Sequence, residues 1–175
     1  MKYLKYTLLE RCRSLDDDAA EGASDEWDRA IAHYNAALAA IRPQLPAAVR
    51  TILDRFSLHD AKVLTYFLTK RKLSLLVQLE GNLARPGKML ELKYTVAKAG
   101  LRIVKHGKDK EWLKEWGRIQ YDEFGKAANT TEETFSHSLL MGGGFELRIQ
   151  FTGLRVRRLK KIIFPSVEQA GLGTA

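Results

Sequence analysis

Residues 134–161 read TFSHSLLMGGGFELRIQFTGLRVRRLKK, and they decide the fold. Phe135, His137, Leu139 and Met141 alternate with Ser136, Ser138 and Leu140; three glycines follow; then Phe145, Leu147, Ile149 and Phe151 alternate with Glu146, Arg148, Gln150 and Thr152. Period-two patterning on both sides of a glycine turn predicts a β-hairpin. Gly142, Gly143 and Gly144 supply the positive φ that such turns need, without the pattern saying which one uses it. At Gly153 the apolar positions move from odd to even numbers, at Leu154 and Val156, which predicts a bulge.

Upstream, the same period recurs. Ala61 to Thr69, AKVLTYFLT, is β-branched and aromatic enough for a strand with little exposed surface. Lys70-Arg71-Lys72 reads as a turn whose like charges face water. Leu73, Leu75, Val77 and Leu79 then alternate with Ser74, Leu76, Gln78 and Glu80, and Leu90, Leu92, Tyr94 and Val96 with Glu91, Lys93 and Thr95. Three such strands in succession predict an antiparallel meander, with Leu101 and Ile103 extending the third or making a short fourth. Trp112 and Trp116 suggest a helical turn, Ile119 and Tyr121 a short strand after it, and Gly125 to Thr131 a loop into the hairpin.

The first 60 residues carry a different period. Leu4, Leu8, Cys12 and Leu15 fit one face of a short helix ended by Asp16, Asp17 and Asp18, whose charges oppose the negative end of its dipole. AAEGAS, residues 19–24, reads as a connector with Ser24 capping a second helix. Trp27, Ile31, Tyr34, Leu38 and Ile41 form the apolar stripe of that helix, and His33 lies off it. Pro43 stops it, and Pro46 opens a third helix that buries Val49, Ile52, Leu53 and Phe56. The expected fold is therefore α+β: N-terminal helices packed on a curved antiparallel sheet or partial barrel, built from a meander and a C-terminal hairpin. Residues 1–60 form the helical part and 61–164 the sheet of one domain, while 165–175 read as a mobile tail.

Composition narrows the function classes. No apolar run approaches the roughly 18 to 20 residues of a membrane span, and the N-terminus lacks a cleavage pattern, so a cytoplasmic protein away from membranes is expected. The single cysteine, Cys12, sits among helical apolar positions, excluding an intramolecular disulfide or a cysteine zinc cluster. Gly81 to Met89, GNLARPGKM, fails as a phosphate loop because five residues separate its glycines, Met89 stands in the Ser/Thr position, and a strand follows. Asn129-Thr130-Thr131 matches a glycosylation acceptor with no secretion signal to give it meaning. No cofactor is implied.

The formal charge of +8 is unevenly placed. Residues 1–60 hold 8 Lys and Arg against 10 Asp and Glu, a balance of −2; residues 61–175 hold 21 against 11, or +10. The basic excess belongs to the sheet and would attract an acidic protein, nucleic acid or an anionic surface. Arg155, Arg157, Arg158, Lys160 and Lys161, with Arg148, are the candidate contacts. Arg155 and Arg157 share a strand face able to grip carboxylates or phosphates, although a charge-protected sheet edge would read the same. His59, Asp60, Asp122, Glu123 and His137 are the chemically suggestive set. If their strands are neighbours, His59, Asp60 and His137 could serve a metal-dependent hydrolase, with Asp122 completing a metal site. The alternative gives them structural work, with His59 bonding across the sheet and Asp60 holding the turn.

Leu58-His59-Asp60-Ala61 at the head of the first strand, the helices before it and the closing SHSLLMGGGFELRIQFTGLRV together resemble an uncharacterised bacterial family, the domain-of-unknown-function family 4085, over most of residues 1–160. The resemblance implies the fold, no established activity and no catalytic residue. The Leu-His-Asp-Ala motif is also similar to small immunity proteins of bacterial toxin systems. The leading expectation is thus a non-enzymatic, immunity-like inhibitor meeting an acidic protein with its basic sheet, with the hydrolase and nucleic-acid readings as alternatives.

Overall fold

The computed structural model describes residues 1–80, 88–106, 117–127 and 133–159. Three helices open the chain: α1 (Tyr6–Cys12), α2 (Asp17–Ile41) and α3 (Ala47–Arg55), the last two separated by a 3-10 turn at Arg42–Gln44. The aspartates act in the opposite sense to the one expected. Asp16 caps α2, its carboxylate accepting from the Ala19 N–H, and Asp17 and Asp18 occupy the first turn. Negative charge is favourable at that end of a helix, so the run starts α2 and residues 19–24 are helical, with Ser24 well inside. Leu15 is consequently left in the α1–α2 link, fully exposed. Pro46 takes the N-cap position of α3, one residue before the helix proper.

Six strands follow: β1 (Lys62–Leu68), β2 (Lys72–Gln78), β3 (Met89–Lys105), β4 (Ile119–Lys126), β5 (Phe135–Met141) and β6 (Phe145–Leu159). All pairings are antiparallel, in the order β1-β2-β3-β6-β5-β4. Two meanders are thus joined through the long strands β3 and β6. The expected bulge is present: Thr95 faces Gly153, yet Val96 faces Phe151, so Thr152 is extra on β6. A second irregularity on β3 lies between Val96 and Leu101, where Ala99 has φ 55° and a Cβ on Gly100 would come within 2.5 Å of the Gln150 carbonyl oxygen. It bends β3 without ending it, so Leu101 and Ile103 extend the same strand. In the hairpin turn only Gly144 has positive φ, at 69°.

The sheet curls around one core. Its inner face contributes Leu75, Val77, Leu90, Leu92, Tyr94, Leu139, Ile149 and Phe151, and α3 inserts Val49 and Ile52 among them. A second cluster lies on the outside, where Leu4, Leu8 and Leu9 from the N-terminal segment and Ala23 and Trp27 from α2 cover Leu140 and Tyr121. The sheet remains open. Among the described residues its edges meet where β1 and β4 begin, at the isolated bridge between Lys62 and Arg118, with Val63 N–H donating to the Gly117 carbonyl and Ile119 N–H to the Ala61 carbonyl.

Two further expectations change. β1 is an exposed edge, not a buried strand: Tyr66 is 57% and Phe67 69% exposed. With only β2 beside it for most of its length, its apolar side chains find no second neighbour among the described residues. Gly125 and Lys126 belong to β4, because pairing with Ser136 and Phe135 carries the strand past the glycine. The helical turn at Trp112–Trp116, the Gly81 loop, the Asn129 acceptor, Lys160, Lys161 and the tail lie outside the described residues.

Candidate functional site

Among the described residues, α1 and α2 cover one half of the outer sheet surface and no helix covers the other half. Across the bare half, cross-strand register lines up Phe67, Ser74, Lys93 and Arg155 in one row, and Thr65, Leu76, Glu91 and Arg157 in the next. Phe67, Lys93, Arg155 and Arg157 are all exposed. Glu91 is already engaged by Lys93 Nζ at 2.9 Å and Ser74 Oγ at 3.3 Å. Among the described residues Arg155 and Arg157 have no ionic partner, so both guanidinium forks are free to receive a bidentate anion.

The other two arginines of the expected set are placed differently. Arg158 has the parity of Leu154 and Val156 and stands opposite Leu90, on the face that turns toward the core. It does not join the row. Arg148 is on the outer face but seven residues along β6 from Arg155, a gap of roughly 20 Å at strand rise. It is also committed, with Nε at 2.7 Å and Nη2 at 2.9 Å from the two carboxylate oxygens of Glu146.

His59 and His137 flank β4 on separate business. His59 Nδ1 faces the Gln120 carbonyl, so that nitrogen donates, and its Nε2 lies 3.4 Å from Asp60 Oδ2. Its ring packs on Tyr121, whose side chain belongs to the outer cluster. Asp60, at φ 62°, donates its N–H to the Ile119 carbonyl and turns its carboxylate to His59 and Arg118. Aspartate tolerates the left-handed region better than most residues, which suits it to this junction.

His137 lies inside the core, fully buried and stacked on Phe124 at 3.7 Å between ring centroids. Its Nδ1 is 2.8 Å from the Tyr94 hydroxyl and its Nε2 3.1 Å from Asp122 Oδ2. Burial, and next the Asp122 charge, push the Tyr94 pKa well up, so the phenol keeps its proton and donates it to Nδ1. Nε2–H then donates to Asp122. No buried polar side-chain atom of these three residues is left without a hydrogen-bond partner.

Glu123 points to the other side of β4 and does work the sequence did not reveal. Its carboxylate accepts the backbone N–H groups of Lys2 at 2.8 Å, Tyr3 at 2.9 Å and Leu4. Nearby, the buried Glu146 holds the Met1 amine as well as Arg148, and His106 Nε2 lies 3.3 Å from it. Burial lowers the His106 pKa, and the Met1 amine and Arg148 lower it further, so this contact is a hydrogen bond from a neutral ring. Glu146 reads in sequence as one more polar residue on the solvent face. The available signal was Arg148 two positions on, on the same side of the strand.

Among the described residues, no group of three or more His, Cys, Asp or Glu side chains is placed to hold a metal ion. His59, Asp60, Asp122 and His137 therefore do not make the expected ligand set: His59 pairs with Asp60 and the buried His137 with Asp122, and although His59 and the partly exposed Asp122 line one cleft, no three of the four converge. No known protein family and no curated protein matches the chain. Its chemistry has to be read from its own surface, where no described helix is long and apolar enough to cross a membrane.

Proposed function

We propose that the protein is a non-enzymatic binder that grips an acidic protein with the bare outer face of β2, β3 and the C-terminal half of β6, in the manner of an immunity-like inhibitor. The observation that supports this is the pair Arg155 and Arg157 beside Lys93, without an ionic partner among the described residues, in two rows whose one carboxylate, Glu91, Lys93 already occupies. The strand backbone fixes where the two guanidinium groups are displayed, and their unneutralised charge steers an acidic surface from a distance. Kinship with family 4085 and a bacterial cytoplasmic setting belong to the same proposal; the Leu58-His59-Asp60-Ala61 junction and the closing hairpin sequence support the kinship.

A second reading has one observation in its favour. Phe67 is exposed at the end of the row that holds Lys93 and Arg155, and an aromatic beside cations is a platform for single-stranded nucleic acid. Fluorescence anisotropy with labelled poly-glutamate and with a mixed-sequence single-stranded DNA separates the two. Acidic-protein binding predicts salt-sensitive affinity for poly-glutamate that falls at least tenfold in the Arg155→Glu, Arg157→Glu double variant. Tighter binding of the DNA, reduced by Phe67→Ser, selects the second reading. If neither probe binds at low salt, the basic face is a solvated surface and both fail.

A further inference from the structure

The strongest unassigned feature is a cleft of about 390 Å³ on the opposite, helix-covered half of the sheet, between α2 and the outer face of β4, β5 and β6. Its size is within the range of small-molecule sites. Its floor is made by Ser136 and Ser138 of β5, paired across the strands with Gly125 and Glu123. One wall is the apolar flank of α2, Leu38 and Ile41. Neither serine hydroxyl has a hydrogen-bond partner among the described residues. Gly125 keeps that floor open, since a Cβ there would stand 3.0 Å from Ser136 Oγ.

The charges around the cleft are unbalanced. Among the described residues Lys2, Lys126 and Arg148 line it against a single carboxylate, Glu123, which is saturated by three backbone N–H groups. Among the described residues Lys126 Nζ donates only to the neutral Gln44 side chain, at 3.0 Å. Arg148 spends Nε and Nη2 on Glu146, which leaves Nη1. Two unpartnered hydroxyls between cations are donors waiting for an acceptor, and a buried carboxylate or phosphate accepts several such bonds at once.

We infer that this cleft binds a small organic oxyanion, its carboxylate or phosphate head on Ser136, Ser138 and Lys126 and its apolar part along Leu38 and Ile41. The site is independent of Arg155 and Arg157, so it stands or falls separately from the acidic-partner reading.

Calorimetric titration of the full chain with octanoate, phenyl phosphate and the uncharged octanol tests it. Octanoate or phenyl phosphate should bind with one-to-one stoichiometry and at least tenfold more tightly than octanol. Lys126→Glu, an exposed change, should weaken the anion at least tenfold, and Ser136→Ala should weaken it several-fold, while far-ultraviolet circular dichroism stays native. Arg155→Glu with Arg157→Glu should leave it unchanged. Absence of binding by both anions, equal affinity for octanol, or anion binding indifferent to Lys126→Glu would each overturn the proposal.

Discussion

The Tyr94 hydroxyl sits 2.8 Å from His137 Nδ1, between strands that are not paired with each other. Tyr94 is on β3 and His137 on β5, so their bond spans the interior behind β6. It ties the two meanders together through the core instead of along the sheet. Asp122 on β4 extends the link to the sheet's far edge.

Removing the phenol oxygen tests how much this link contributes. Tyr94→Phe leaves the buried Nδ1 facing an apolar ring, and an acceptor stranded in that way costs about 1–3 kcal/mol. Urea denaturation should show a midpoint lowered accordingly, whereas Tyr66→Phe, on the exposed edge, should leave it unchanged. A Tyr94→Phe midpoint equal to that of the parent would mean the bond is not made in solution.

The tyrosines also set the behaviour in alkali. Burial, then Asp122, raise Tyr34 and Tyr94 above the ordinary value, and burial raises Tyr121. An unfolded chain releases these protons from about pH 10. The native state still holds them there, so it binds more protons than the unfolded state and stability falls as pH rises. Stability from this source should be complete below about pH 10 and lost progressively above it. Tyrosinate absorbance followed alongside circular dichroism should show an early group ionising in the native fold, and a late group ionising with unfolding. A single titration of all six tyrosines in a native spectrum would contradict the placement of Tyr34 and Tyr94.

Which parts of this were legible beforehand follows from where the controlling forces act. The closing hairpin, its bulge at Gly153 and the helix-then-sheet order were readable, because period and turn chemistry are local. The exposure of β1 was not. Lys62–Leu68 has the composition of a buried strand, and only the strand order reveals that one side of it lacks a partner. The aspartate run was readable as a helix boundary but not as to which side, since the same charges oppose one dipole and favour the next. Arg155 and Arg157 on one face followed from alternation, whereas Arg158 sits one step out of phase with them. The separation of His59 from His137 depends on β4 passing between them, a long-range fact. Glu123 and Glu146 were hidden for the same reason, since their partners lie more than 100 residues away at the N-terminus.

Glu123 supplies the last test. Three backbone donors from Lys2, Tyr3 and Leu4 converge on one carboxylate that is 6% exposed, and together they bring the segment before α1 onto the outer face of β4. Hydrogen bonds to a charged acceptor contribute about 1.5–3 kcal/mol each when broken singly, but these three share one site and water can enter once it empties. Glu123→Ala should therefore destabilise by about 2–3 kcal/mol rather than by the sum. Glu123→Gln keeps one acceptor oxygen and should lose less. Amide exchange adds a readout specific to the tether: in Glu123→Ala, the N–H groups of residues 2–4 and of α1 should exchange faster while those of β3 stay protected. Uniform acceleration across the sheet would show that Glu123 supports the whole fold, and no change at residues 2–4 would show that the tether does not depend on it.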